Sequence, residues 1–464
     1  MYTSGTTGTP KAVILQNRQL NGALKALTSN VNDLADEAYR HVYASFLPLA
    51  HIMGLTFELF LFTGGVRIGY SSPTTLTDTS PAHPPGQLGD LKLLQPTTLI
   101  TVPLILDRIV KEIYLKISTR SALLPPIVTY LLDYKIRWTK RGFDTPIINR
   151  LVCGRVREQF GGKLEFVISG GAPLNPRTEE LIRAALNVKL MQGYGLTETT
   201  GGIVGMMRQD IDSGKAGYPL DGVSVRLKSW DEGGYTVDDR PNPRGEVLIS
   251  GDSVGVGYYK LEEETKEAFS VDPSDGTRWF HTGDIGEIYP NGSLKIVDRK
   301  KDLAKLPNGE YISLGKVGYW FLVLSHSESK FFSLQIESAL KTASLVENAC
   351  ICVSEKLNDI VALVTPNEKM LRVLAAELGK KNLTREQLCA DPQVQKAVNK
   401  AVTKTCASAG LHRRETPVRV HLCAEEWLPD NELLTAAFKL KRRNVLQFYQ
   451  KEVEALFDQL AASR

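Results

Sequence analysis

Thr3–Lys11 reads TSGTTGTPK, a Ser/Thr/Gly-rich loop that ends in a cation. Gly5 and Gly8 admit backbone conformations closed to residues with a Cβ, and they let peptide N–H groups approach phosphate oxygens. Thr3, Ser4, Thr6, Thr7 and Thr9 add hydroxyl donors, and Lys11 adds a mobile positive charge. The spacing is G-x-x-G-x-x-K, not the G-x-x-x-x-G-K-[ST] of nucleotide-hydrolysing P-loop chains, so that class is disfavoured. A loop of this kind takes its geometry from a strand in front of it. Only Met1 and Tyr2 precede it, so the strand is expected to come from residues outside this chain. Taken alone the segment also reads as a polar turn; the motifs farther along the chain decide between the two.

With 464 residues the chain has room for two or three domains. Its hydrophobic content of 42% and charged content of 23% are those of an ordinary globular protein. A net charge of +4 is small for the length and argues for no particular polyanionic partner, and no nucleic acid is expected. The cysteines, Cys153, Cys350, Cys352, Cys389, Cys406 and Cys423, have no paired metal-ligand spacing and read as buried or free thiols in a reducing compartment. No signal sequence is visible, and no apolar run reaches the ~18 residues of a membrane span.

Short apolar runs alternate with helical stretches and Gly-rich turns over the first three hundred residues, the texture of α/β architecture. Strands are expected at Thr98–Val102, Leu164–Ile168, Val188–Gln192 and Glu246–Ile249. Helices are expected at Asn17–Leu27, Ile105–Ser118 and Thr178–Ala185. Ser71–Gly89, rich in Pro, Ser and Thr, reads as a loop. At Asp298–Asp302 the run DRKKD forms a compact charged hinge, beyond which lies a smaller helix-rich region.

Four further segments bear on chemistry. SGGAPL (Ser169–Leu174) follows an apolar run, and glycines at a strand end let a flat ring or a phosphate approach the backbone. QGYGLTETT (Gln192–Thr200) offers a ring face at Tyr194, a hydroxyl at Thr197 and, at Glu198, a hard oxygen ligand suited to Mg²⁺. Standing alone, Glu198 reads as a solvated surface acid. In HTGDIGEI (His281–Ile288), Asp284 follows a Gly turn and can accept both hydroxyls of a ribose; its plainer reading is a turn stabiliser. Arg299 at the hinge adds a cation for ribose or phosphate. FKLKRR (Phe438–Arg443) is a basic cluster that alone reads as a solvated helix face.

Together and in this order, TSGTTGTPK, LPLAHIMG, SGGAPL, GYGLTET, TGD, DRKKDLAKLPNGEYISLGKV and FKLKRR resemble the adenylate-forming (AMP-binding) superfamily, and within it the long-chain acyl-CoA synthetases. The resemblance implies a large domain of layered αβ sheets, incomplete on its N-terminal side, and a small mobile α+β C-terminal domain. It divides the chain into 1–297 (adenylation domain), 298–316 (hinge and linker), 317–335 (insertion) and 336–464 (mobile domain). It implies ATP and coenzyme A as co-substrates, Mg²⁺ as cofactor and a long-chain fatty acid as the acid.

Position by position, the resemblance gives Thr3, Ser4, Gly5, Thr6, Thr7, Gly8 and Lys11 to the β- and γ-phosphates. It gives Gly170, Gly171, Ala172, Gln192, Gly193 and Tyr194 to the adenine, Thr197 to the α-phosphate and Glu198 to the metal. Asp284 and Arg299 bind ribose, and Lys439 is the adenylation lysine. Thr197, Glu198 and Lys439 form the catalytic set. His51 lines the acyl site, Lys301 is the hinge, and Gly309 belongs to the loop that meets coenzyme A. The family also implies an intracellular place on the cytoplasmic face of the endoplasmic reticulum or another organelle membrane, held peripherally. Oligomeric state and chain-length preference are not legible.

The chain departs from the family in two places. Members carry a couple of hundred residues ahead of TSGTTGTPK, so the chain is expected to be truncated at its start. Val317–Gln335 interrupts the join between ISLGK and IESALK. A Val codon begins with GT and a Gln codon can be CAG, the two ends of a short intron, so the block reads as a retained intron or a lineage-specific insertion. Two other functional readings stand beside the synthetase: another adenylate-forming acid–CoA ligase, and a remnant that binds nucleotide without turnover.

Overall fold

The computed structural model describes residues 1–3, 10–31, 38–78, 80, 82–83, 86–118, 121, 123–300, 303–305, 311–313, 336–353, 360–411, 416–435 and 438–462. These fall into two compact units, Met1–Ile296 and Val297–Arg464.

In the first unit, β1 (Tyr2–Thr3) and β2 (Lys11–Ile14) pair antiparallel, with Thr3 opposite Lys11. Tyr2 and Thr3 thus lead into the phosphate-loop motif in extended conformation. Val13 N–H donates to the Met1 carbonyl (2.7 Å) and closes this short pairing. The Ser4–Thr9 part of the motif lies outside the described residues.

The main sheet runs β4 (Arg67–Tyr70), β3 (Val42–Ser45), β5 (Thr98–Thr101), β6 (Phe166–Ser169), β7 (Lys189–Leu196), β8 (Gly201–Gly205), β9 (Tyr218–Pro219). From β4 to β7 every pairing is parallel; β7–β8 and β8–β9 are antiparallel. Parallel strands are covered on both faces, which is why β5 and β6 are unbroken buried runs rather than alternating ones. Thr101, Ser169 and Gln192 are register neighbours. SGGAPL and QGYGLTETT therefore begin side by side at the carboxyl edge of the sheet, the edge where open α/β sheets bind ligands.

The helix expected at Thr178–Ala185 spans Pro176–Leu186. Asn175 accepts from Arg177 N–H and Pro176 takes the first turn, so capping starts it earlier than its apolar face suggests. The helix expected at Ile105–Ser118 spans Pro103–Ser118.

A second sheet is ordered β10 (Val223–Lys228), β11 (Arg244–Gly251), β14 (Arg278–Ile288), β13 (Phe269–Val271), with β15 (Leu294–Arg299) also on β14. The third is β1–β2–β12, where β12 is Gly257–Tyr258.

The second unit holds β16 (Val346–Val353), antiparallel to β17 (Ile360–Pro366), which is parallel to β18 (Arg419–Leu422). Helices Ile336–Lys341, Glu368–Glu377 and Pro392–Ser408 cover it through Ile336, Leu371, Val394 and Val398, all without exposed surface. The six cysteines are buried thiols outside any disulfide, as expected.

Candidate active site

Glu198 sits in the short turn Thr197–Thr199 between β7 and β8. It is buried, contrary to its isolated reading as a solvated acid. A neighbouring segment holds it from two sides. Gly255 N–H donates to the Glu198 carbonyl (2.7 Å), and the Tyr258 hydroxyl donates to Glu198 Oε1 (2.8 Å). Burial, and then the Glu198 carboxylate, push the Tyr258 hydroxyl above its ordinary range, so it keeps its proton and donates. Lys11 Nζ lies 4.9 Å from the centre of the same Tyr258 ring. Thr197 is half-buried beside Glu198.

Gln192, at the end of the parallel part of β7, donates through Nε2 to Glu179 Oε2 (2.6 Å). Glu179 has no exposed surface and also accepts from Gly214 N–H (3.0 Å) and pairs with Arg183 Nη2 (2.7 Å). Burial raises the Glu179 carboxyl to about 7 against the pull of Arg183, Gly214 and Gln192. Its folded value lies above the ordinary 4.5, so the folded state holds a proton where the unfolded chain has released it. The stability this group contributes is present below about 4.5 and is lost as pH rises through about 7. The melting temperature of the wild type minus that of Glu179→Gln is therefore expected to fall across that interval. The limit is about 3 kcal/mol, from roughly 1.4 kcal/mol per unit. A flat difference across that range would count against the raised value.

Asp284 is buried at the tip of the HTGD turn in β14. Its Oδ2 accepts from the Tyr194 hydroxyl (2.7 Å), and its N–H donates to Thr282 Oγ1 (3.0 Å). Gly283, at φ +71°, makes the turn, and its N–H donates to Glu246 Oε1 (3.2 Å). Tyr194 and Asp284, read separately from the sequence, form one pair that joins the main sheet to the second sheet.

Gly170, Gly171 and Ala172 follow β6. A Cβ on Gly170 would lie 3.2 Å from Met53 Sδ, so the first turn of helix Ile52–Thr63 packs against this motif. His51 caps that helix, its Nδ1 accepting from Met53 N–H (3.2 Å). Gly193 lies on β7 between Gln192 and Tyr194.

In the second unit, Arg299 ends β15 and is half-buried. Lys439 is held in a turn closed by Thr435 N–H to the Lys439 carbonyl (2.8 Å) and Lys439 N–H to Thr435 Oγ1 (3.1 Å). Lys301, Gly309 and the 317–335 insertion lie outside the described residues, as do Ser4, Gly5, Thr6, Thr7 and Gly8.

Sequence reasoning missed Tyr258 and Glu179. Tyr258 follows a glycine and reads as turn chemistry. Glu179 reads as a first-turn helix acid, and neither carries a motif of its own.

Glu198 fits a divalent cation. Tyr258 occupies one carboxylate oxygen, and a hard cation such as Mg²⁺ is typically held by one or two carboxylates together with substrate phosphates and water. Among the described residues no cluster of three or more His, Cys, Asp or Glu forms an all-protein cage.

The sequence pattern of the AMP-binding enzyme family matches residues 1–259. Long chain acyl-CoA synthetase 8 of Arabidopsis thaliana is 36% identical over 98% of this chain and 61% of its own length. Fatty acyl-CoA synthetase B of Dictyostelium discoideum is 33% identical over 99% of this chain and 63% of its own. Long-chain-fatty-acid–CoA ligase 1 of Schizosaccharomyces pombe is 32% identical over 98% and 64%. The chain thus spans less than two thirds of the length of these relatives. Among solved structures, the A-PCP didomain of a carboxylic acid reductase from Segniliparus rugosus, in complex with AMP, aligns at TM-score 0.71 and 24% identity, covering 100% of this chain and 53% of that one. The adenylation domain of a Mycobacterium chelonae carboxylate reductase aligns at TM-score 0.69 and 22% identity, covering 98% and 59%. The fold is that of adenylate-forming enzymes.

Proposed function

The chain belongs to the AMP-binding enzyme family, and from that we propose that it acts as a long-chain fatty acid–CoA ligase. A fatty acid carboxylate attacks the α-phosphorus of ATP to give acyl-adenylate and pyrophosphate; the thiolate of coenzyme A then displaces AMP to give acyl-CoA. The observation that carries this reading is the meeting of Lys11 and Glu198 on one buried phenol at the carboxyl end of β7. The likeness to long-chain synthetases over nearly the whole chain supports the choice of acid.

Each step builds negative charge on phosphate oxygens, so fixed cations and oriented N–H groups matter more than an acid–base pair. Lys11 and the Thr3–Gly8 loop hold the β- and γ-phosphates, and Thr197 meets the α-phosphate. Mg²⁺, when bound at Glu198, supplies charge neutralisation to the phosphates. Gln192, fixed by Glu179, frames the adenine with Gly170, Gly171, Ala172, Gly193 and Tyr194. Asp284, with Arg299, takes the ribose. Lys439 serves adenylation from the second unit, whose rotation about Lys301 brings Gly309 to coenzyme A. His51 lines the acyl site. ATP–pyrophosphate exchange driven by acids of increasing chain length tests the reading. Exchange with palmitate or oleate and none with short or aryl acids is expected. Exchange only with the latter favours another acid–CoA ligase, and AMP binding without exchange favours the remnant.

Peripheral association with the cytoplasmic face of an organelle membrane belongs to the same proposal. Among the described residues no helix is long and apolar enough to cross a bilayer. Helix Leu124–Thr139 buries Leu132 and leaves Ile127 (53%), Tyr130 (63%) and Tyr134 (38%) exposed on one stripe. Trp138 contacts Tyr134 and Phe143 and carries Arg141 over its ring. Tyr134–Glu158 exposes the cations Arg137, Lys140, Arg141, Arg150 and Arg155 against the acids Asp144 and Glu158. Apolar and aromatic groups between cations suit an anionic interface. The chain is expected to co-sediment with phosphatidylserine-containing vesicles, less so at high salt. The double variant Ile127→Asp/Tyr130→Asp is expected to lower partitioning by about tenfold or more, since each buried apolar side chain contributes about 1.5–3 kcal/mol at most. Equal sedimentation of the two proteins would reject this surface.

A further inference from the structure

We infer that Tyr258 is a positioning residue that sets the nucleotide site's cation and its carboxylate at one fixed spacing, with the segment Gly255–Tyr259 as its frame. The inference deepens the nucleotide-activating reading and rests on it for the roles of Lys11 and Glu198.

The frame is bonded on both sides. Toward β2, Val256 N–H donates to the Ile14 carbonyl (3.0 Å) and Tyr259 N–H to the Ala12 carbonyl (2.8 Å), so it runs as an edge strand beside the strand that Lys11 opens. Toward β7, Gly255 N–H donates to the Glu198 carbonyl (2.7 Å). Arg278 grips the frame from behind, Nη1 donating to the Gly255 carbonyl (2.7 Å) and Nη2 to the Val256 carbonyl (2.6 Å). Tyr258 N–H donates to Thr265 Oγ1 (2.9 Å), which fixes where the ring leaves the backbone.

From that anchored position one side chain does two separate things. Its hydroxyl donates to Glu198 Oε1 and so restricts which way the carboxylate turns. Its ring face lies 4.9 Å from Lys11 Nζ, an electrostatic attraction that keeps the long lysine side chain from ranging freely. Lys11 and Glu198 come from distant parts of the sequence, and phosphates held between them need both placed in advance. The ring contact and the hydroxyl contact can be removed one at a time.

Tyr258→Phe keeps the ring over Lys11 and removes the donor to Glu198; Tyr258→Leu removes both. Binding of ATP is measured calorimetrically with Mg²⁺ and with EDTA. Tyr258→Phe is expected to weaken ATP binding about tenfold when Mg²⁺ is present, the lower end of what loss of a group that orients a metal ligand does. In EDTA it is expected to stay within about twofold of wild type. Tyr258→Leu is expected to weaken binding in both conditions, by about two- to fivefold in EDTA, the scale of an exposed cation–π contact. Melting temperature separates a general loss of fold from these site effects. Wild-type affinity in Tyr258→Phe with Mg²⁺ overturns the inference, as does an equal loss for both variants in EDTA. A wild-type chain that binds neither ATP nor AMP overturns the nucleotide reading itself, and this inference with it.

Discussion

Glu198→Gln is expected to lower fatty-acid-dependent ATP–pyrophosphate exchange by about 10²–10³-fold, the range seen when one preorganised charge-stabilising group is removed, while the protein stays folded. The substitution keeps the side chain's length and one carbonyl-type oxygen that can accept from the Tyr258 hydroxyl. What it removes is the negative charge, and with it the preference for a hard divalent cation. The fold has little reason to suffer. Glu198 is buried, its carboxylate accepts from the neutral Tyr258 hydroxyl, and the turn is held by backbone bonds that the substitution does not touch, Gly255 N–H to Glu198 O and Thr200 N–H to Thr197 O. A neutral amide is also cheaper to bury than a carboxylate. The expected pattern is an unchanged melting temperature, retained AMP binding and nearly abolished exchange. Exchange above about a third of wild type would remove Glu198 from the charge-neutralising role, and loss of AMP binding would mean that the side chain holds the site together instead.

Much of the parallel sheet was legible because buried strands leave an unambiguous mark. Thr98–Thr101 and Phe166–Ser169 are apolar runs closed by Gly- or Pro-containing turns, and both lie within a residue or two of where periodicity puts them. Tyr194 and Asp284 were legible as residues but not as a pair, because a hydrogen bond between β7 and β14 has no local signature. Burial was the weakest reading. Glu198 and Glu179 both look like surface acids, yet each faces into the sheet's carboxyl end because a distant segment closes over it: Gly255–Tyr258 over the first, Gly214 over the second. Tyr258 escaped for the same reason. Its strand is two residues long and exists only through pairing with β2 at Val13 and Ile14, a contact no window of sequence contains.

Gly195→Ala is expected to destabilise the first unit by about 3 kcal/mol or more, at or beyond the upper end of ordinary overpacking, and to abolish exchange together with the fold. A Cβ built on Gly195 would lie 1.8 Å from the Gly201 carbonyl oxygen, 2.5 Å from its carbon and 2.9 Å from Gly202 Cα. All three are backbone atoms, so no rotamer change relieves the clash. Carbon–oxygen contacts need about 3.3 Å or more, and the two strands would have to part by roughly 1.5 Å. That opening falls where β7 and β8 are paired, Gly195 opposite Gly202 and Leu196 opposite Gly201, just beyond a register shift at Tyr194. The strands cannot part without dragging the Thr197–Thr200 turn that carries Glu198. The control lies across the same pair. A Cβ on Gly202 would meet only Leu27 Cδ2, at 4.0 Å, so Gly202→Ala should fold and melt close to wild type. Thermal unfolding followed by circular dichroism compares them; a melting temperature for Gly195→Ala within about 2 °C of Gly202→Ala would mean that the strands separate freely, against a shift of roughly 6–12 °C expected for 3 kcal/mol. The second glycine of GYGLTET, Gly195, is there because two backbones approach too closely for any side chain, and the tight turn that results is what aims Glu198 at the edge of the sheet.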